Sequence, residues 1–333
     1  MLERSNTQIS PTQLHRLPGE TEFEHKLRLC KLKLQGDIDS SWQEIVYALG
    51  VDIHPDHLRK TAYGIVEYDR HINSTEGVAR RCLHISDLHI PYQKPVGTFS
   101  KYFGRVDDLL LGGDICDCQA ISKFTKLYRE SPMLEIISAR DYLIDLIKNI
   151  KPKRVISIYG NHDLRFQEYF AKNLDNDLVS LMPSTPLELI FIDGFNHYDK
   201  FSGVKSYYQP LCEVFKDIEI CYVDNWWAKV GRTLFCHPLA YKSGILKTTE
   251  QAVDFFRNED CDFTSIIMSH THQVGFSKKG KTLLYESGCC CESDKLKYSN
   301  GRLVKSQKEG YIYFCQDNNG DIIYPKVEQV VLN

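Results

Sequence analysis

Carboxylate, imidazole and amide side chains recur in five short clusters between residues 87 and 272. In chain order the clusters are Asp87-Leu88-His89, Gly113-Asp114-Ile115-Cys116-Asp117, Gly160-Asn161-His162-Asp163, Cys236-His237 and Ser269-His270-Thr271-His272. Asp and Asn offer oxygen and His offers nitrogen, and this mixed donor set suits Mn, Fe or Zn. Seven ligands are too many for one tetrahedral ion. They match two ions about 3.5–4 Å apart that share a bridging carboxylate, as in two-metal hydrolases.

Each cluster directly follows a short apolar segment that we predict to be a β-strand. The predicted strands cover residues 82–85, 109–111, 155–158, 233–235 and 265–268. In α/β sheets, functional side chains collect at the carboxyl ends of strands, where loops converge. In an extended strand end, the Asp-x-His and His-x-His spacings would point both ligands to the same side. Glycines before Asp114 and Asn161 permit tight turns and close backbone approach.

The remaining pattern between residues 79 and 333 is that of a layered α/β protein. A helix is predicted over 131–150, and a further strand over 282–285. Residues 311–324 predict a hairpin that turns at Asn319-Gly320. Alternating strands and helices followed by late antiparallel strands indicate an α/β fold.

In this order the five motifs resemble those of the calcineurin-like metallophosphoesterases: D-x-H, G-D-x-x-D, G-N-H-[DE], a lone H and G-H-x-H. The resemblance covers about residues 79–333, and it departs from the family pattern at Ser269, where glycine is usual. It implies a four-layer α/β/β/α metallophosphoesterase sandwich.

The resemblance also implies a role for each site residue. It implies seven ligands of two divalent ions: Asp87, His89 and His272 for one, Asn161, His237 and His270 for the other, and Asp114 as the bridge. His162 would face the substrate and protonate the leaving oxygen, and Asp163 would orient His162. Asp117 is assigned a similar supporting role. Mn is the metal we expect, with Fe or Zn as alternatives.

The implied reaction is in-line attack on phosphorus by a metal-bridging hydroxide, with His162 assisting the leaving group. The family's protein phosphatases place arginines where this chain has Tyr159 and Cys118-Gln119. A diester carries less charge than a monoester, so it can bind without those arginines. We therefore favour a phosphodiesterase and, within that class, a nuclease acting on DNA or RNA. The alternatives are a phosphomonoesterase acting on a small metabolite or phosphoprotein, and a DNA-binding protein whose metal domain is not catalytic.

Residues 1–78 predict a separate, small, all-helical domain. Thr21 and Glu24 form a capping-box pattern before a helix that ends near Gly36, and a second helix carries Trp42 to Leu49 before Gly50. Pro55 suits the first turn of a third helix. The outline is that of a helix-turn-helix, which would guide nucleic acid, or of a helical cap. Ten basic against twelve acidic residues in positions 1–80 weigh against DNA binding, which needs local positive charge.

Composition limits the class of protein. The 333 residues are 42% hydrophobic and 26% charged, values that exclude disordered and fibrous classes. A net charge of −3 excludes a strongly basic coat over the whole chain.

No apolar run approaches the roughly 18 residues of a membrane span, and the polar segment from Met1 to Glu20 argues against a signal peptide. We therefore expect the twelve cysteines to be reduced thiols of a cytoplasmic protein with no membrane partner. The Cys289-Cys290-Cys291 run is expected to pack in the interior.

Overall fold

The computed structural model describes residues 14–73, 76–123, 131–296 and 307–332. The chain divides into two compact units, Met1–Glu76 and Gly77–Asn333, and each is considered by itself.

Within its described residues, the first unit contains three α-helices: α1 (Glu22–Gln35), α2 (Trp42–Leu49) and α3 (Pro55–Asn73). Both predicted stop signals are confirmed, because Gly36 and Gly50 cap α1 and α2 with φ of 79° and 64°. Capping boxes open the same two helices at Thr21 and Ser41. The helices enclose a small apolar core that includes Leu29, Ile45 and Leu58.

The second unit contains thirteen described strands and six described α-helices. The strands are β1 (Arg80–Ile85), β2 (Asp108–Gly112), β3 (Arg154–Ile158), β4 (Phe195–Tyr198), β5 (Lys205–Tyr208), β6 (Glu219–Val223), β7 (Trp227–Val230), β8 (Thr233–Cys236), β9 (Ser265–Met268), β10 (Val274–Lys279), β11 (Thr282–Ser287), β12 (Glu309–Gln316) and β13 (Glu328–Leu332). The helices are α4 (Pro132–Ile150), α5 (Arg165–Asn173), α6 (Asn176–Val179), α7 (Pro186–Glu188), α8 (Leu211–Val214) and α9 (Lys247–Asn258).

Two sheets carry the site. The six-stranded sheet has the order β13-β12-β1-β2-β3-β6, and the five-stranded sheet has the order β10-β11-β9-β8-β7. Strands β1, β2, β3 and β6 are parallel neighbours, and so are β8, β9 and β11. Their carboxyl ends therefore meet at common edges, as expected for the ligand clusters.

Alternating side chains along the strands build the layers. In β2, Leu109 and Leu111 pack in the core that contains α4, whereas Leu110 packs in the core between the two sheets. In β8, Phe235 joins that same inter-sheet core, and Leu234 packs with α9. Because strand side chains alternate between faces, this places the layers in the order α4, sheet, sheet, α9. The predicted four-layer α/β/β/α sandwich is confirmed.

The predicted C-terminal hairpin is wrong in extent. The turn lies where expected, since the Gly320 N–H donates to the Asp317 carbonyl at 3.0 Å. Beyond a single bridge between Gln316 and Ile322, however, the chain enters a 3₁₀ turn at Tyr324–Lys326 and pairs with β12 only from Glu328. Pro325 explains the interruption, because proline has no N–H to donate to a ladder.

Across the described residues, none of the helices combines the length and the apolar character that crossing a lipid bilayer requires.

Candidate metal centre

The ligand clusters sit in left-handed backbone turns rather than in extended strand ends. Five of the predicted ligands are non-glycine residues with positive φ, between 45° and 72°: Asp87, His89, Asp114, His270 and His272. The expectation that strand alternation aligns them is therefore wrong. Each such residue costs about 1 kcal/mol, so neighbouring loops must hold the turns in place. The N–H of Asp87 donates to the Gly113 carbonyl at 3.0 Å, and that of His89 donates to the Asp114 carbonyl at 2.9 Å.

Two glycines allow the loops after β2 and β3 to touch, as predicted. A Cβ atom on Gly113 would lie 2.6 Å from the backbone nitrogen of Gly160. A Cβ atom on Gly160 would lie 2.1 Å from the carboxylate Oδ1 of Asp114. Any larger residue at either position would push Asp114 away from the other clusters.

Asp87, His89 and His272 form the first cluster. The Nε2 atom of His272 lies 3.1 Å from Asp87 Oδ1 and 3.2 Å from His89 Nε2. Asp87 and His89 are fully buried. Burial raises the pKa of Asp87, but the neighbouring His272 and His237 imidazoles outweigh it and hold that pKa below its usual range. The cluster thus presents an ionised carboxylate and two imidazole nitrogens to one point.

Asp114, Asn161, His237 and His270 form the second cluster. His237 Nε2 lies 3.3 Å from Asp114 Oδ2 and 3.2 Å from Asn161 Oδ1. His237 Nδ1 donates to the Gly112 carbonyl at 2.8 Å, which fixes the ring with Nε2 toward the cluster. His270 Nε2 is buried and has no hydrogen-bond partner among the described residues. Burial lowers the pKa of His270 to about 3, so this imidazole is neutral and offers a lone pair.

One carboxylate oxygen lies between the two clusters. Asp114 Oδ2 is 3.3 Å from His237 Nε2 and 3.7 Å from His89 Nε2. Burial raises the pKa of Asp114, but the charges of His237 and His162 keep it well below its usual range. The structure therefore brings all seven predicted ligands together. The donor set and the unpartnered His270 nitrogen fit divalent metal ions.

Asp117, rather than Asp163, contacts His162. His162 Nδ1 donates to Asp117 Oδ1 at 2.7 Å, and His89 Nδ1 donates to the same oxygen at 3.2 Å. Asp117 thus orients both the predicted leaving-group histidine and a predicted metal ligand.

Asp163 instead ties the loops together. Its carboxylate accepts from the backbone N–H groups of Gly160 and Asp114, both at 2.9 Å, and of Cys116 at 3.1 Å. Burial and the nearby Asp114 charge raise the pKa of Asp163 to about 7. The predicted role of Asp163 in orienting His162 is therefore corrected to a role in holding the loops that carry Asp114 and His162.

Sequence reasoning missed Arg165, at the start of α5. Its Nη2 atom donates to His162 Nε2 at 2.9 Å, and its Nη1 atom donates to the Asp117 carbonyl at 2.7 Å. Arg165 lines a cleft of about 730 Å³ that reaches Asn161 and also contains Lys123 and Lys172. The spacing of three residues from His162, one helical turn, is the signal that could have identified it.

The Cys289-Cys290-Cys291 run is fully buried, as predicted, but it is not only packing. The Cys289 thiol donates to the Lys308 carbonyl at 3.5 Å. Burial lowers the pKa of His272, a predicted ligand, but its electrostatic interactions with Cys289 and Asp87 outweigh burial and hold that pKa well above its usual range. All twelve cysteines are free thiols.

Comparison with known proteins supports the family-level interpretation. The family model of the calcineurin-like phosphoesterases matches residues 80–274. No curated protein matches the sequence significantly.

Solved structures resemble the chain at low identity. An archaeal phosphodiesterase is 13% identical, covering 76% of this chain and 99% of its own, with a TM-score of 0.35. Zinc-complexed Vps29 from Entamoeba histolytica is 13% identical over the same shares, with a TM-score of 0.33. Vps29 from Chaetomium thermophilum is 12% identical, covering 77% of this chain and 99% of its own, with a TM-score of 0.33. The family assignment rests on the sequence match, which spans more than half of the chain and all five ligand clusters. The chain belongs to the calcineurin-like phosphoesterase family.

Proposed function

We propose that this protein is a phosphodiesterase that depends on two divalent metal ions. The observation that carries the proposal is the position of Asp114 Oδ2 between the two ligand clusters, 3.3 Å from His237 and 3.7 Å from His89. A shared carboxylate between two sets of ligands is the arrangement of two-metal hydrolytic sites.

The proposed ligands are the two clusters described above, with Asp114 common to both. When bound, such ions supply a nucleophile from water at neutral pH and neutralise charge on the phosphoryl oxygens. Mn is the proposed metal, because oxygen and imidazole donors predominate, with Fe or Zn as alternatives.

Side chains of this protein would deliver the proton that the leaving oxygen requires. Asp117 fixes His162 with Nδ1–H toward the carboxylate, so Nε2 is the atom available for proton transfer. Arg165 now donates to that nitrogen at 2.9 Å. A substrate phosphate that attracts the Arg165 guanidinium would free Nε2 to take up a proton from solvent, and the resulting imidazolium would donate that proton to the departing oxygen. Arg165 would then bind the phosphoryl group.

A diester is favoured because one arginine contacts His162. The two positions at which the phosphatases carry arginine hold half-buried Tyr159 and buried Cys118-Gln119, which offer no cation. The single negative charge of a diester is matched by one guanidinium. A phosphomonoesterase is the second candidate, because Arg165 has the planar fork that can hold a dianion in bidentate fashion.

Within the diesters we propose nucleic acid as substrate, and the cytoplasm as the compartment that suits twelve free thiols. The three helices of the first unit are proposed to guide DNA or RNA. The alternative, a DNA-binding protein with a non-catalytic metal domain, is separated from this proposal by turnover.

The test is to strip the metal from the protein, reload it with Mn²⁺, Zn²⁺ or Fe²⁺, and compare hydrolysis of bis(p-nitrophenyl) phosphate with that of p-nitrophenyl phosphate. We expect the diester to be the better substrate, and we expect chelation or His237→Ala to abolish its hydrolysis. End-labelled single- and double-stranded DNA then tests the nuclease proposal. A monoester preference would favour the second candidate, and intact DNA beside active diester hydrolysis would exclude the nuclease.

A further inference from the structure

An aromatic cleft opens beside the second ligand cluster. It has a volume of about 300 Å³, and its walls include Trp226, Pro238, Tyr241 and Phe255, with Lys242 at the rim. The Trp226 ring stacks on Phe256 at 5.4 Å between centroids and lies 5.7 Å from the Phe255 ring. The cleft therefore presents several flat apolar faces.

Residues of the cleft lie next to the candidate ligands, one through a ring contact and one as a neighbour in the chain. The Tyr241 ring meets the His270 ring edge to face, with centroids 5.2 Å apart. Pro238 directly follows His237, whose N–H donates to the Trp226 carbonyl at 2.8 Å. A group in the cleft would thus lie next to a phosphate held at the centre.

The aromatic faces are exposed beside polar groups. Tyr241 is 51% exposed and Phe255 is 45% exposed. If this aromatic cluster served packing alone, both rings would be expected to be covered, as Phe256 is. Exposed aromatic faces next to a phosphate site are the combination that single-stranded nucleic-acid binders use for stacking bases.

Positive charge continues past the cleft. Lys242 also lines a neighbouring cleft of about 540 Å³ with Lys247 and Lys279. Lys247 pairs with Glu250 at 2.8 Å, and Lys279 pairs with Asp254 at 2.5 Å. The lining of this second cleft therefore combines three lysines with two carboxylates.

We propose that the cleft lined by Trp226, Tyr241 and Phe255 binds a nucleobase of the nucleotide whose phosphate occupies the metal centre. The inference rests on the proposed phosphodiesterase function and narrows its substrate to a nucleotide chain. Stacking, rather than hydrogen bonding to base edges, provides the binding, so the cleft accepts more than one base.

The test compares Tyr241→Ala with Tyr198→Ala, an exposed tyrosine of strand β4 that lines neither cleft. The manganese-loaded full chain is assayed on a short single-stranded oligothymidylate and on an abasic oligomer of equal length. We expect wild-type protein to prefer the base-bearing oligomer. Tyr241→Ala should raise the KM for the base-bearing oligomer about 5- to 150-fold relative to the KM for the abasic oligomer. Tyr241→Phe should restore the preference, because it keeps the ring.

Direct binding keeps this test separate from turnover. Dissociation constants for the same two oligomers are measured by fluorescence anisotropy on the metal-loaded full chain carrying His162→Ala, with and without Tyr241→Ala. Equal affinity for both oligomers, or a base preference that survives Tyr241→Ala, would overturn the base site. If bis(p-nitrophenyl) phosphate is hydrolysed while neither oligomer binds, the phosphodiesterase stands and the base site fails. If oligomers bind with a base preference but no diester is hydrolysed, the phosphodiesterase fails instead.

Discussion

The substitution Asp117→Asn tests whether Asp117 orients the His162 and His89 side chains. The carboxylate is fully buried, and its Oδ1 atom accepts from His162 at 2.7 Å and from His89 at 3.2 Å. Asn keeps the shape but loses the charge, so two charge-assisted hydrogen bonds become neutral ones. Each exchange costs about 0.5–2 kcal/mol, given roughly 1.5–3 kcal/mol for a hydrogen bond to a charged group and about 1 kcal/mol for a neutral one.

The two contacts predict two separable effects. Loss of the His89 contact should weaken metal binding about 10- to 100-fold, the usual cost of changing a group behind a ligand. Loss of the His162 contact should lower kcat at saturating Mn²⁺ by about 2- to 30-fold, the equivalent of about 0.5–2 kcal/mol. Metal affinity is measured by competition with a chromophoric chelator, and kcat with bis(p-nitrophenyl) phosphate.

Asp107→Asn is the matched control. Asp107 accepts from Arg81 at 2.9 Å and Lys153 at 2.9 Å, just before β2 and at the end of that strand opposite Asp114. It should lower the melting temperature without changing metal affinity or saturated kcat. If Asp117→Asn changes neither quantity while Asp107→Asn behaves as described, the orienting role of Asp117 is refuted.

Three further predictions follow from other contacts. Arg165→Met should lower kcat/KM about 10- to 150-fold, because a charged hydrogen bond to phosphate is lost. The decrease should be larger for a monoester than for a diester. Equal decreases for the two substrates, or none, would contradict phosphate binding by Arg165. Cys289→Ala should weaken metal binding about 10-fold through His272, measured by chelator competition, whereas the equally buried Cys290→Ala should not. Burial raises the pKa of Glu135 from 4.5 to about 8, so its stabilising contribution is complete below pH 4.5 and is lost as pH rises through 8. The free energy of unfolding is measured in urea at pH 5 and at pH 9. Between these values the wild-type protein should lose at most about 5 kcal/mol more of that free energy than Glu135→Gln does. Equal losses in the two proteins would contradict the raised pKa of Glu135.

The sequence carried enough information to predict the ligands and the layers. The order of the five motifs, through the family resemblance, singled out Asp87, Asp114 and His237 as candidate ligands, and the structure places them in the two clusters. The helix ends near Gly36 and Gly50 could also be predicted, because a helix cap depends only on residues that are neighbours in the sequence.

What the sequence could not supply depends on contacts between distant loops. Non-glycine residues such as Asp87 and His272 adopt left-handed turns only because the neighbouring loops hold them there. That Asp117, and not Asp163, contacts His162 has the same origin. Both carboxylates follow glycine-rich turns, and only the packing of those turns decides which one reaches an imidazole. Cys289 likewise meets His272 from a separate strand end.

The most direct test of the central claim is a titration of metal-stripped protein with Mn²⁺, following hydrolysis of bis(p-nitrophenyl) phosphate and bound metal together. The account predicts two ions per chain and activity that rises with the second equivalent, and His237→Ala should lose that second phase. Two bound ions without diester hydrolysis, or full activity with one ion per chain, would contradict a two-metal phosphodiesterase.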